Sequence, residues 1–187
     1  YDSDLGITTL DQIKEKKDLD DMPEYDSFMK KRIYKRTRAK PPDYSELVKE
    51  LAAKEKIPCI YFVFSRIKTQ DYAERLAKNN NFLTESEKSE ITKKMVDEFE
   101  RISKEVTTLK STVLIKQCLS KGIAFHHAGL LPDIKHIIEK LFGLGLIKFL
   151  FATETFAVGI NYPAKAVCID NMRKFTGIGF AYLNSTR

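Results

Sequence analysis

A chain of 187 residues with 43% hydrophobic and 31% charged side chains can bury one good core, and at most one core plus an appendage. It holds no apolar run of membrane-spanning length and no charged-then-apolar leader, so membrane spanning and secretion are not expected and the expected setting is intracellular. Cys59, Cys118 and Cys168 are widely spaced in apolar surroundings, a pattern that excludes a disulfide framework and metal-ligand spacing and reads as buried, reduced thiols.

The net charge of +6 is unevenly spread. From Tyr1 to Met29 nine acidic residues face three lysines, whereas Lys30 to Lys40, "KKRIYKRTRAK", holds seven basic residues and no acid. Such a cluster suits either phosphate contact without sequence reading or a plain solvated helix or linker. Pro41-Pro42 then interrupts the chain, so residues 1–43 are expected to form an acidic-then-basic connecting segment and residues 44–187 the domain. Tyr1 is not an initiator and Arg187 falls in a polar stretch, which leads to the expectation of an excised piece of a larger protein.

Asp43 or Ser45 can cap a helix reaching about Lys54, with Leu47, Val48, Leu51 and Ala52 as its stripe. "IPCIYFVFS" follows, a nearly continuous run of β-branched and aromatic residues suited to a strand covered on both faces. "RIKTQDYAERLAKN" reads as a helix. Thr84 and Glu87 form a capping box ahead of Ile91, Met95, Phe99, Ile102, Val106 and Leu109, which predicts one long helix from Thr84 to about Leu109. "TVLIKQCLSKG" predicts a shorter helix ending at Gly122. "GIAFHH", "LIKFLFAT" and "KAVCID" are strand candidates, and "LPDIKHIIEKLFGLG" between the first two is a helix with Pro132 in its first turn. Alternating strands and helices predict an α/β fold, a parallel sheet with helices on both faces, whose ligands bind at the carboxyl ends of the strands.

One such end is "FATETFAVGINYPA", Phe151 to Ala164. Thr153 and Thr155 offer hydroxyls, the turn can expose backbone N–H groups, and Gly159 lets a ligand or facing domain approach the main chain. A helix cap around Thr153 and Glu154 explains the same residues, and both readings can hold together. His126 and His127 are adjacent in a strand, so they point to opposite faces and cannot share one metal; packing or hydrogen bonding is the expected role. Asp170 reads as a strand-end residue. No G-x-x-x-x-G-K-S/T loop occurs, so the chain brings no phosphate cradle of its own.

Taken together, "YFVFSR", "GIAFHHAGLLPDIKHIIEKLF", "FATETFAVGINYPA" and "NMRKFTG" resemble the second RecA-like domain of Superkiller-like, DExH-type superfamily-two RNA helicases, over roughly Lys56 to Gly177. The resemblance implies a RecA-like domain that binds single-stranded RNA, and DNA as an alternative. It implies ATP and Mg2+ as cofactors of the full-length parent, an upstream RecA-like domain as partner, and no membrane role. In "YFVFSR" it places Ser65 and Arg66 near the nucleic-acid backbone, and in "FHHAGLLP" it has Gly129 presenting backbone to a phosphate. In "ATETFAVGIN" it puts Thr153 on a phosphate of the bound strand and turns Gly159 and Asn161 toward the nucleotide. Val63 and Tyr162 depart from the usual serine and methionine. The arginine-rich motif expected after "NMRKFTG" is not reached before Arg187, so the fragment alone is expected to be inactive. A non-catalytic module for RNA or protein contact is the alternative from another class.

Overall fold

Four short parallel strands, β1 (Cys59–Phe62), β2 (Ile123–His126), β3 (Phe149–Ala152) and β4 (Ala166–Ile169), pair in the order β2-β3-β1-β4. The computed structural model describes residues 44–157, 163–171, 173–175 and 180–182. The chain divides into two units, residues 1–49 and 50–187, with only residues 44–49 of the first described. The acidic and basic runs of residues 1–43 lie outside the described residues, as do Gly159, Asn161 and Tyr162.

Each long apolar run condenses to four paired residues. β2 and β3 are buried at every position and β1 at three of four, as strands with both faces covered should be. The helices are α1 (Tyr44–Ala53), α2 (Arg66–Asn79), α3 (Glu85–Phe99), α4 (Lys104–Thr108), α5 (Lys110–Leu119) and α6 (Pro132–Gly143). Side-chain alternation shows which face each covers. Tyr61 and Phe151 meet Tyr72 of α2 at ring-centroid distances of 6.4 and 6.0 Å, while His126, pointing the other way, meets Glu139 of α6. Helices therefore cover both faces of a parallel sheet, an α/β arrangement of RecA-like type. No helix among the described residues is long and apolar enough to cross a membrane.

The long predicted helix is broken. α3 stops at Phe99, and Ser103 caps α4, its hydroxyl accepting from the Val106 amide at 3.5 Å. The apolar spacing carries on past this break, but burial does not: Ile91 and Phe99 are buried, while Leu109 is exposed and, in extended conformation, separates α4 from α5. A local serine cap outweighed a continuing stripe that had no core to face. An antiparallel ribbon of β5 (Arg173–Phe175) and β6 (Phe180–Tyr182), which the pattern did not suggest, follows β4. The cysteine reading also needs correction: Cys168 is half-exposed, and β-pairing brings it to Cys59, whose Sγ donates to Cys168 Sγ at 3.8 Å. All three remain thiols, and burial pushes the Cys118 thiol up to about 12.

Gly122 ends the α5 connection at φ +75°, and a Cβ there would sit 2.8 Å from Leu83 Cδ2, so both backbone and space demand glycine. Its carbonyl accepts from the amides of Lys148 and Phe149, which ties the entry of β2 to that of β3. The capping box of α3 joins the same corner. Glu87 accepts from the Thr84 amide at 2.9 Å and forms an ion pair with Lys148, which also donates to the Gly145 carbonyl at 2.9 Å.

The bond to Lys148, reinforced by Thr84, holds the Glu87 carboxyl below its ordinary range despite partial burial. A depressed folded-state value stabilises above the unfolded one and is lost as pH falls through the folded one. Glu87→Gln keeps the cap but loses the charge, so wild type should exceed it by about 1 kcal/mol at neutral pH. That advantage should fade as pH is lowered below about 4.5, which urea denaturation of both proteins across a pH series measures.

Candidate functional site

The strands end level with one another. His126, Ala152 and Phe62 form one row of β2, β3 and β1, with Ile169 of β4 beside Phe62. One residue further the ladder persists, the Thr153 amide donating to the His126 carbonyl at 3.0 Å and the Val63 amide to the Ala152 carbonyl at 2.9 Å. The segments that leave these strands therefore start from one edge. They enclose an open recess of about 190 Å³ lined by Phe64, Ser65, Arg66, Ala128, Thr153, Glu154 and Thr155.

Ser65 reaches the recess as the N-cap of α2, its hydroxyl accepting from the Lys68 amide at 3.4 Å. An accepting hydroxyl still has its own proton to donate. The cap is pinned from beneath by buried Thr69, whose hydroxyl donates to the Ser65 carbonyl at 2.6 Å. Arg66 opens α2 and is exposed at the rim. The N-terminus of a 14-residue helix thus adds its positive dipole end to a guanidinium.

Thr153 is half-buried, and its hydroxyl lies 3.0 Å from that of Thr155. A 3-10 turn, Glu154–Ala157, begins immediately, with the Phe156 amide donating to the Thr153 carbonyl at 3.1 Å. Phe156 then anchors the turn, its ring 4.8 Å from that of His126 and 6.0 Å from that of Phe142. A short turn thus starts at Thr153, and Thr153 and Thr155, their hydroxyls paired, both line the recess.

Of the six residues singled out in the sequence, Ser65, Arg66 and Thr153 share this recess. Gly129 is not among the lining residues. Its amide donates to His127 Nδ1 at 3.1 Å, and a Cβ on it would lie 3.7 Å from Arg66 Nη1. Gly159 and Asn161 lie outside the described residues. Glu154 puts a carboxylate into the lining, and no sequence argument had assigned it there.

The histidines do diverge. His126 Nε2 lies 3.0 Å from Glu139 Oε1 on the α6 face, while His127 stacks on Phe125 and meets Gln70 on the α2 face. Burial lowers the pKa of both, and the Arg66 charge adds to this at His127, so both rings are neutral near pH 7. Asp170, at the end of β4, accepts from the Tyr72 hydroxyl at 3.3 Å. The arrangement can hold an anion through hydroxyls, a guanidinium and a helix end.

No family model matches the chain. It is 41% identical over 140 residues to the antiviral helicase SKI2 of Saccharomyces cerevisiae, covering 75% of this chain and 11% of that protein. It is 39% identical over 145 residues to the human exosome RNA helicase MTR4, covering 78% of this chain and 14% of that one. A DExH-box ATP-dependent RNA helicase of Arabidopsis thaliana, DExH10, is 38% identical over 143 residues, 76% of this chain and 14% of its own length. The chain thus spans between about a tenth and a seventh of the relatives it matches.

If Thr153 donates to a bound phosphate, Thr153→Ala in the full-length protein should weaken single-strand binding by about tenfold or more, and Thr153→Ser should keep most of it. A residue that serves only the turn gives a lowered melting temperature with unchanged binding. Fluorescence anisotropy and thermal melting on the same samples separate the two.

Proposed function

We propose that this chain, a homologue of the Superkiller-like DExH-type RNA helicases over most of its length, is the second motor domain of an ATP-dependent RNA helicase. The observation that supports this most is the convergence of Ser65, Arg66, Thr153 and Thr155 at the carboxyl ends of adjacent parallel strands. Ligands of open α/β sheets bind there, and these side chains suit phosphate and sugar more than bases. RNA is preferred over DNA because the relatives are named as RNA helicases.

In this reading the domain grips the backbone of a single strand. Arg66 supplies charge, Ser65 and one hydroxyl of the Thr153–Thr155 pair supply donors, and the N-terminus of α2 supplies dipole. The phosphate cradle of P-loop type is absent from these 187 residues, so in this reading ATP and Mg2+ are held chiefly by an upstream RecA-like domain, and the family resemblance assigns Gly159 and Asn161, which lie outside the described residues, to nucleotide contact. Bound ATP supplies the free energy that closes the two domains on the strand and reopens them. No described residue is assigned to the hydrolytic step itself, and the 187-residue chain alone should show no ATP turnover above a buffer control, with or without RNA.

Backbone grip has a signature in salt. Affinity of the full-length protein for unrelated single-stranded RNAs should fall as salt rises, nearly alike for each sequence. Arg66→Ala should weaken all of them by a similar factor and flatten the log–log salt slope by about one ion. Loss confined to one sequence would mean base readout and would overturn the reading.

A further inference from the structure

We propose that His127 is a positioning residue for the recess, fastening the turn after β2 to the first turns of α2 so that both walls meet one phosphate. The inference rests on the reading of the recess as a backbone-phosphate site.

His127 is 4% exposed, and its ring lies nearly parallel to that of Phe125, 5.8 Å away. It folds the turn around itself: Nδ1 accepts from the Gly129 amide at 3.1 Å, and its carbonyl accepts from the Leu130 amide at 3.1 Å. Ala128, which lines the recess, sits inside this turn. On the far edge of the ring, Nε2 lies 2.8 Å from Nε2 of the Gln70 side-chain amide. Gln70 is one helical turn beyond Arg66, on the same face of α2. One imidazole therefore joins the two segments that supply Ala128, Ser65 and Arg66.

The chemistry fixes its state. A ring that accepts at Nδ1 carries its single proton on Nε2, which an amide nitrogen cannot accept, so we assign the Gln70 amide turned by half a turn, with its oxygen toward the ring. A second proton would have to sit on Nδ1, where the Gly129 N–H already points. Burial and the nearby Arg66 charge favour the neutral ring. The approach is also close at the glycine: a Cβ at Gly129 would lie 3.1 Å from Nδ1, so the ring would have to give by a few tenths of an ångström. Lysine or glutamate at position 70 could not supply both an uncharged carbonyl and the same reach.

The test is carried out on the full-length protein with a fluorescent 20-residue oligouridylate as probe. His127→Phe keeps the stack on Phe125 and removes both hydrogen bonds; it should raise the Kd by about tenfold. His127→Asn restores an acceptor near the Nδ1 position and should return to within about threefold of wild type. Gln70→Leu, at a half-buried helix position, should raise the Kd by about threefold with little change in melting temperature, and it decides the matter if His127→Phe does not fold. Wild-type Kd for Gln70→Leu and His127→Phe, with only melting temperature lowered, would assign the ring to packing and overturn the proposal. Arg66→Ala and Thr153→Ala run alongside. If they weaken binding and the His127 and Gln70 variants do not, positioning alone fails; if they too bind as wild type, the phosphate reading fails with it.

Discussion

Parallel register is the constraint on which the rest depends. Because β2, β3 and β1 end in one row, His126 beside Ala152 beside Phe62, the segments leaving them begin at the same height and on the same edge. Ser65, Ala128 and Thr153 are far apart in sequence and become neighbours only through that alignment. A slip of one residue in β3 would turn Thr153 to the other face and exchange Phe149 and Phe151 with Leu150 and Ala152 across two covered faces, so that neither face keeps its packing partners. The site is thus protected by the same hydrophobic pattern that builds the sheet.

That pattern is enforced from both sides. Phe125, Phe149 and Phe151 are fully buried, as are Ile134, Ile138, Leu141 and Phe142 on the connecting elements. Each such side chain contributes roughly 1.5–3 kcal/mol, so a misregistered strand would forfeit several of them at once. The corner at the opposite edge is fastened separately, by Gly122 and by the ion pair between Glu87 and Lys148. Rigid strands and a tied lower edge leave the upper edge free to be polar.

At that upper edge polar groups are arranged in layers. Thr69 and His127 are buried and hydrogen-bonded, holding the cap of α2 and the turn after β2. Ser65, Thr153 and Thr155 stand above them, at the recess itself. The grip proposed for this recess would require exposed donors whose positions cost little to hold, and the buried hydrogen bonds beneath them would supply that order.

Much of this was legible in the residues. Continuous apolar runs mark strands covered on both faces, Thr84 and Glu87 announce a helix start, and Gly122 an end, because backbone conformation and local hydrogen bonding are set by neighbours in the chain. Ser65, Arg66 and Thr153 were singled out through motif resemblance, and Thr153 also by its place at a strand end. The break between Phe99 and Lys104 was missed because spacing continued while burial did not. The meeting of Cys59 with Cys168 and the bond from Gly129 to His127 carried no local signal that spacing could read. The sequence by itself determined the α/β class and most of the elements, though not the break after Phe99 or the β5–β6 ribbon. Only tertiary structure decided which strand ends share an edge, since pairing between distant strands is chosen by total burial and register, neither of which any short window contains.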